Sequence, residues 1–111
     1  MNINDLTVKQ ARELAAMFKI YSGSDSGAWE IGKIYLIRTV TMIDTGRLVS
    51  VTPQELVLED AAWIADTGRF AQAVEAAEFG EVEPFPSGLV IVGRGSIIDA
   101  VVISRAPRSQ K

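Results

Sequence analysis

Arg94 is the residue of this sequence whose surroundings point most directly to binding. It lies between Gly93 and Gly95 in the segment IVGRGSIIDAVVI, residues 91–103. Glycines on both sides permit a sharp bend of the backbone and a close approach by a ligand. A guanidinium in such a place can contact a phosphate or stack on a base. The pattern predicts either a nucleic-acid contact at Arg94 or an ordinary arginine at a corner between two strands.

Catalytic chemistry is poorly represented in the chain. Its 111 residues include no cysteine and no histidine, which excludes disulfides and thiolate zinc sites and removes the usual general base. Glu59 and Asp60 are neighbours on a predicted strand, so their side chains should point to opposite faces and form a poor acid–base pair. Asp44 and Asp66 have no spacing typical of a calcium loop. We expect no enzymatic activity, no cofactor and no metal site.

The charge of the chain limits its partners. The net charge is −3, whereas proteins that capture duplex DNA by counterion release are usually basic. Arg105, Arg108 and Lys111 form a local basic cluster, for which a frayed, solvated tail over 106–111 is the simpler interpretation. No stretch reaches the roughly 18 apolar residues of a membrane helix, and the first residues lack the pattern of a secretion signal. We therefore expect a cytoplasmic protein without a membrane partner.

The chain begins with a helical pattern and continues as a single domain. Thr7 and Gln10 are spaced as a capping box, and apolar residues follow at helical spacing, which predicts an N-terminal helix over 1–21. Glycine and serine dominate the next segment, which predicts a flexible linker over 22–29.

Strand patterns fill most of the remainder. Runs rich in β-branched residues predict five strands, over 33–41, 46–51, 55–64, 88–94 and 96–105. Thr52 and Pro53 form the turn between the second and third strands. Five short antiparallel strands leave exposed edges unless they close, so we predict a small barrel over 30–105. Asp99 interrupts the last strand, where it should either face solvent on an edge strand or pair with Arg94 or Arg105 across a subunit interface.

A second helix is predicted between the third and fourth strands. It runs over 68–79, with Thr67 as its N-cap and Gly80 just beyond its end. The segment EVEPFPSG, residues 81–88, contains two prolines and is predicted to be a loop.

Two segments resemble the sequence motifs of the Sm-like family, which includes the Sm, LSm and Hfq proteins. GRLVSVTPQELVLEDA, residues 46–61, resembles the first motif, with Gly46 at the bend of the second strand. IVGRGSIIDAVVI resembles the second motif, in which Arg-Gly or Lys-Gly follows an apolar residue and precedes an apolar strand. The whole chain, including LEDAAWIADTGRF at residues 58–70, also resembles short proteins carried by tailed phages.

The resemblance implies a fold class that is mainly β with helices. An N-terminal helix would precede a bent, five-stranded antiparallel barrel of the Sm-like, SH3 type, here with a helix inserted between strands three and four. It also implies a homo-oligomeric ring of roughly five to seven subunits. In that ring the fourth strand of one subunit pairs with the fifth strand of the next.

The resemblance also implies an RNA site near the pore of the ring. The candidate RNA- or nucleotide-binding residues are Arg94, Gly95, Ser96, Glu55, Thr52 and Trp63. Thr52 and Glu55 stand where the family has Asp and Asn in its uridine site. Because a carboxylate only accepts hydrogen bonds, Glu55 suits the amino group of adenine better than the edge of uracil. Trp63 could stack on a base, or pack in the core or at a subunit interface.

Three functions stay open at this point. The first is a ring that contacts single-stranded RNA through Arg94. The second is an oligomeric interaction module, encoded by a phage, whose ring or inserted helix docks a host protein. The third is a ring that captures a small nucleotide at its subunit interfaces. All three place the protein in the cytoplasm of a bacterial or phage-infected cell.

Overall fold

A computed structural model describes residues 27–111 of the chain. The predicted N-terminal helix and residues 22–26 of the predicted linker lie outside these residues. Within them the chain forms six strands, one α-helix and a short 3-10 turn at Arg94–Ser96. The elements are β1 Ile34–Thr39, β2 Ile43–Val51, β3 Glu55–Asp66, α1 Phe70–Ala76, β4 Glu81–Pro84, β5 Val90–Gly93 and β6 Ile97–Val102.

The strands form one antiparallel sheet in the order β4-β3-β2-β1-β6, and β5 also pairs with β3. The predicted mainly-β, antiparallel architecture is therefore confirmed. Within residues 27–111 the sheet is not closed, because β5 and β6 do not pair with each other. Among these residues no helix has the length and apolar character needed to cross a bilayer.

The prediction of five strands is wrong, because the segment predicted as a loop over 81–88 contains β4. Val82 is buried and pairs with Ile64 of β3. Pro84 is the last residue of this strand, where its missing N–H costs the sheet little. Burial of one apolar side chain thus overrides the turn signal that the prolines give.

Strand β3 is long enough to border two strands, β5 and β4, along the edge opposite β2. Its first part, Glu55–Leu58, pairs with β5, and its last part, 62–66, pairs with β4. Between them Asp60 has a φ of 50°, in the left-handed region, which Asp tolerates better than most residues. The pairing with β2 shifts at the same place. The strand therefore bends at Asp60 and sends its two parts to different neighbours.

The central strands are buried on both faces. Alternate residues of a strand point to opposite sides, so Leu36 belongs to one core and Tyr35 and Ile37 to the other. The helix-side core consists of Leu36, Ala62, Ile64, Ala73, Ala77, Phe79, Val82 and Ile103. The opposite core consists of Tyr35, Ile37, Leu48, Leu56, Leu58, Ala61 and Val92. Burial on both faces explains why β1 reads as a continuous apolar run.

Helix α1 is shorter than predicted. Arg69 rather than Thr67 is its N-cap, and Ala77 ends it in the left-handed conformation. Before the helix, the Asp66 carboxylate accepts a hydrogen bond from the Gly68 N–H at 2.8 Å, forming a turn instead of a first helical turn. Gly80 donates its N–H to the Asp66 carbonyl, and a Cβ there would lie 2.9 Å from Asp66 Oδ2. Gly80 therefore permits a close approach to Asp66 and is not a helix cap.

The C-terminal segment packs against the sheet, so the prediction of a frayed tail is wrong. Lys111 and Val82 exchange two backbone hydrogen bonds, of 3.0 and 2.9 Å. Arg108 donates from Nη1 to the Ala61 carbonyl at 2.7 Å and from Nη2 to the Phe85 carbonyl at 3.0 Å. The Lys111 contacts use the edge of β4 that does not face β3, whereas Arg108 joins β3 to the residue that follows β4.

Candidate functional site

The β2–β3 turn and the corner between β5 and β6 lie against each other. The Arg94 N–H donates to the Gln54 carbonyl at 2.9 Å. Its guanidinium donates from Nη1 to the Thr52 carbonyl at 2.6 Å. We use the name two-loop site for Thr52, Glu55, Arg94, Gly95 and Ser96. The structure thus brings five of the six predicted site residues into one region.

The β2–β3 turn is fixed by Thr52. Its hydroxyl oxygen accepts hydrogen bonds from the N–H groups of Gln54 at 3.2 Å and Glu55 at 3.1 Å. Its own N–H donates to the Glu55 carbonyl at 2.9 Å. Glu55 then pairs across the sheet with Gly93, the residue before Arg94. The turn therefore holds the backbone of Glu55 beside the corner that carries the arginine.

The corner itself is a short 3-10 turn. Ser96 donates its hydroxyl to the Gly93 carbonyl at 2.8 Å, and its own carbonyl accepts from the Val40 N–H at 2.8 Å. A Cβ added at Gly95 would meet no atom within 4 Å. The corner is thus anchored at both ends while its central residue faces open space.

Trp63, the sixth predicted site residue, is not part of the two-loop site. It lies in the last part of β3, between Asp44 of β2 and Glu83 of β4, and 41% of it is exposed. Its side chain lines an open cleft of about 700 Å³ between the β1–β2 turn, the β4–β5 loop and β5. Met42, Asp44, Glu83 and Phe85 also line this cleft.

The Trp63 cleft was not foreseen from the sequence. Its residues come from separate strands, and no local pattern signals their register. The cleft reaches the two-loop site, because Gly93 and Ser96 line it as well. Partial burial raises the pKa of the Asp44 carboxyl above its ordinary value, since loss of contact with water disfavours the charged form of the group.

Asp99 is exposed on the edge strand β6, in agreement with one of the two predicted alternatives, and it pairs with Arg38 of β1. The two residues are opposite each other on β1 and β6, and Arg38 Nε donates to Asp99 Oδ1 at 2.7 Å. The hydrogen bonds from Arg38 lower the pKa of the Asp99 carboxyl. The Arg38 guanidinium also lies 4.7 Å from the centre of the Phe70 ring. This cluster joins β6, β1 and α1 at the surface.

Glu59 and Asp60 share one partner, which corrects the prediction that they point to opposite faces. Arg47 Nη1 lies 2.8 Å from Asp60 Oδ2 and 3.5 Å from Glu59 Oε1. The left-handed backbone of Asp60 breaks the alternation on which the prediction depended. Both acids are therefore occupied by an ion pair at the bend of β3.

Strands β5 and β6 each have one edge without a partner strand in the described part of the chain. β5 pairs only with β3 and β6 only with β1. Each exposes a large apolar side chain, Ile91 and Ile98, both 65% exposed. Exposed apolar edges of this kind favour pairing with another chain.

Comparisons with known proteins add no relative. No protein-family model, no curated protein and no solved structure matches this chain. Within residues 27–111 no group of three or more acidic residues is arranged to hold a metal ion.

Proposed function

We propose that this chain is a ring-forming, Sm-like binding protein that contacts single-stranded RNA at the two-loop site. The observation that carries the proposal is the docking of the Arg94 corner onto the Thr52 turn by two hydrogen bonds. In the family that the sequence resembles, the equivalent turn and corner line the pore of the ring. Arg94, Gly95 and Ser96 would then contact the RNA together with Thr52 and Glu55.

The strand order supports a barrel of the proposed type. Without β4, the order is β6-β1-β2-β3-β5, which places the last two strands at the two ends of the sheet. In the proposed barrel β5 and β6 are the fourth and fifth strands, and α1 with β4 is the insertion. The 3-10 turn that joins β5 to β6 is the point where the barrel would fold over.

The unpaired edges of β5 and β6 support the ring. Pairing β5 of one subunit with β6 of the next satisfies both edges and covers Ile91 and Ile98. The same contact repeated around an axis closes a ring, as heterologous interfaces do when the rotation returns to its start. In this arrangement each subunit would contribute one two-loop site to a common pore.

The chemistry of the two-loop site suits a single strand rather than a duplex. A guanidinium offers a planar face for stacking on a base and donors for a phosphate. Glu55 adds an acceptor that fits the amino group of adenine. Because the net charge of the chain is −3, binding would depend on these local contacts, and the ring would repeat them in every subunit.

Two measurements test the proposal. Native mass spectrometry of the full chain should give a closed oligomer, and a monomer would contradict the ring. Binding of A-rich, U-rich and mixed single-stranded RNA should weaken with salt, with a slope of about −0.7 in log K against log salt for each phosphate contacted. A-rich RNA should bind best if Glu55 reads the base.

Arg94→Ala should abolish this RNA binding, whereas Arg69→Ala should leave it unchanged. The control removes the same charge from the N-cap position of α1, outside the residues of the two-loop site. Equal loss in both variants would indicate a nonspecific charge effect. A ring that binds no RNA at low salt would favour the alternative, a phage-encoded module that docks a host protein or captures a small nucleotide.

A further inference from the structure

Trp63 lies in a row of directly opposed residues that crosses four strands. Ile37 of β1 is opposite Asp44 of β2, Asp44 is opposite Trp63 of β3, and Trp63 is opposite Glu83 of β4. Directly opposed residues in antiparallel strands share one face of the sheet, with Cβ atoms about 4.5–5.5 Å apart. An indole is therefore flanked on both sides by carboxylates on the same face.

A cleft lies over this row. It has a volume of about 700 Å³, and Phe85 and Met42 line it beside Trp63. Asp44 and Glu83 are the only charged residues among the described ones that line it. Residues 27–111 contain no arginine or lysine that reaches Asp44 by a salt bridge.

The charge and the aromatic lining together define what the cleft can hold. We propose that it binds a small organic cation with a guanidinium group, placed against Trp63 and between Asp44 and Glu83. The electron-rich face of an indole attracts such cations. The two carboxylates complement the charge and accept hydrogen bonds from its N–H groups. Partial burial of Asp44 makes an unpaired carboxylate costly there, and a bound cation removes that cost.

The same features disfavour other ligands. A nucleotide phosphate would face two carboxylates and no basic side chain from the described part of the cleft. Ca²⁺ and Mg²⁺ prefer six or more oxygen ligands, whereas aromatic and aliphatic side chains form much of this lining. The ligand is therefore opposite in charge to the RNA proposed for the two-loop site, and the two proposals can fail independently.

Isothermal titration of the full chain with agmatine tests the proposal. Agmatine carries a guanidinium on a short alkyl amine. N-carbamoylputrescine is the matched probe, because it replaces the guanidinium by a neutral urea of similar shape. We expect agmatine to bind and the urea analogue to bind at least about tenfold more weakly, which corresponds to about 1.4 kcal/mol.

Variants locate the binding. The binding of agmatine should weaken by about tenfold or more in each of three variants, Asp44→Asn, Glu83→Gln and Trp63→Ala. Glu75→Gln should leave it unchanged, because Glu75 is an exposed acid on α1 away from the cleft. Asp44→Asn and Glu83→Gln conserve side-chain shape, and a normal thermal transition confirms that each variant is folded.

A short peptide with one arginine, capped at both ends, separates two sources of the cation. Tighter binding of the peptide than of agmatine would indicate an arginine side chain of a polypeptide, and the reverse a free small molecule; both support a cation site. Equal affinity for agmatine and its urea analogue would overturn the proposal. So would an absence of agmatine binding to the folded wild-type chain, or tighter binding of AMP that depends on Trp63. None of these results depends on RNA binding.

Discussion

The Arg94 guanidinium donates a hydrogen bond of 2.6 Å to the carbonyl of Thr52, a residue 42 positions earlier in the chain. This contact joins the β2–β3 turn to the β5–β6 corner. It makes the position of the corner depend on the conformation of the turn.

Arg94→Ala should therefore loosen the corner. A charge-assisted hydrogen bond contributes about 1.5–3 kcal/mol in favourable cases, and partial exposure reduces this, so we expect a loss of about 1 kcal/mol in the free energy of unfolding. Denaturant titration measures the loss. Faster amide exchange confined to residues near Thr52 would show that the turn is the affected region. Unchanged stability and exchange would show that the contact is not maintained in solution.

Gly46→Ala should destabilise the fold strongly. A Cβ at this position would lie 2.9 Å from Leu58 Cβ and 3.2 Å from the Glu59 carbonyl oxygen, so strands β2 and β3 must separate. Overpacking of this kind costs about 1–3 kcal/mol. Gly95→Ala is the matched control, because a Cβ there meets nothing within 4 Å. If both substitutions have equal effects on the melting temperature, the close approach of β2 to β3 is contradicted.

Thr45→Val should stabilise the protein. The Thr45 hydroxyl is fully buried and has no hydrogen-bond partner among residues 27–111. Replacing it with an apolar group of the same shape removes a desolvation cost of about 1 kcal/mol or more. Thr39→Val should do the opposite, because the Thr39 hydroxyl accepts from the Met42 N–H at 3.0 Å and donates to its carbonyl at 2.9 Å. Denaturant midpoints of the two variants compare them directly, and a destabilised Thr45→Val chain would contradict the burial of an unpaired hydroxyl.

The Asp44 carboxyl should make stability fall as the pH rises. Burial raises its pKa in the folded chain above the value in the unfolded chain, so the folded state binds more protons between the two values. Its contribution is present below the ordinary Asp pKa and is lost as the pH rises through the raised one. Asp44→Asn should remove this slope from a plot of unfolding free energy against pH. Glu83 is the other charged residue lining the cleft, and Glu83→Gln tests how far it contributes.

Asp99 should change the free energy of unfolding with pH in the opposite direction to Asp44. Arg38 lowers the pKa of the Asp99 carboxyl, so its stabilising effect is present above the ordinary Asp pKa and is lost as the pH falls. Both side chains are more than 40% exposed, and solvent keeps such pairs weak. Asp99→Asn should thus change the pH profile less than Asp44→Asn does, and a larger change would contradict the exposed position of the pair.

Charges on the unpaired edges should prevent assembly. Ile91→Lys on β5 and Ile98→Lys on β6 place a charge where the neighbouring strand would pack, a device that natural edge strands use to avoid pairing. Each variant should reduce the native mass to that of a monomer. Val40→Lys is the control, because Val40 is 70% exposed but lies in the β1–β2 turn. Loss of the oligomer in all three variants would indicate a general effect of charge rather than edge pairing.

Local chemistry explains which parts of the fold the sequence predicts. The strands around Leu36, Leu48 and Leu58 carry strong β signals, and Thr52 with Pro53 marks the turn between two of them. The corner at Arg94 follows from the glycines on each side. These features depend on neighbours in the chain, so a sequence reading locates them to within a few residues.

Features that depend on register were not predicted. The Arg38–Asp99 pair and the row through Trp63 join residues from strands that meet only in the folded sheet. The helix begins later than predicted because Asp66 forms a turn before it. It ends at Ala77 rather than near Gly80, because Gly80 packs against Asp66. The left-handed conformation of Asp60 likewise has no sequence signal strong enough to override the expected alternation.

The bend at Asp60 makes β3 the strand that connects β4 and β5. Since one continuous backbone holds β5 at one end and β4 at the other, the angle at this residue fixes the distance between them and thereby the aperture of the Trp63 cleft. Arg47, on the adjacent strand β2, forms ion pairs with both Glu59 and Asp60 and thereby stabilises the bend. Arg47 can thus influence the width of the Trp63 cleft through β3, although Arg47 itself does not line the cleft.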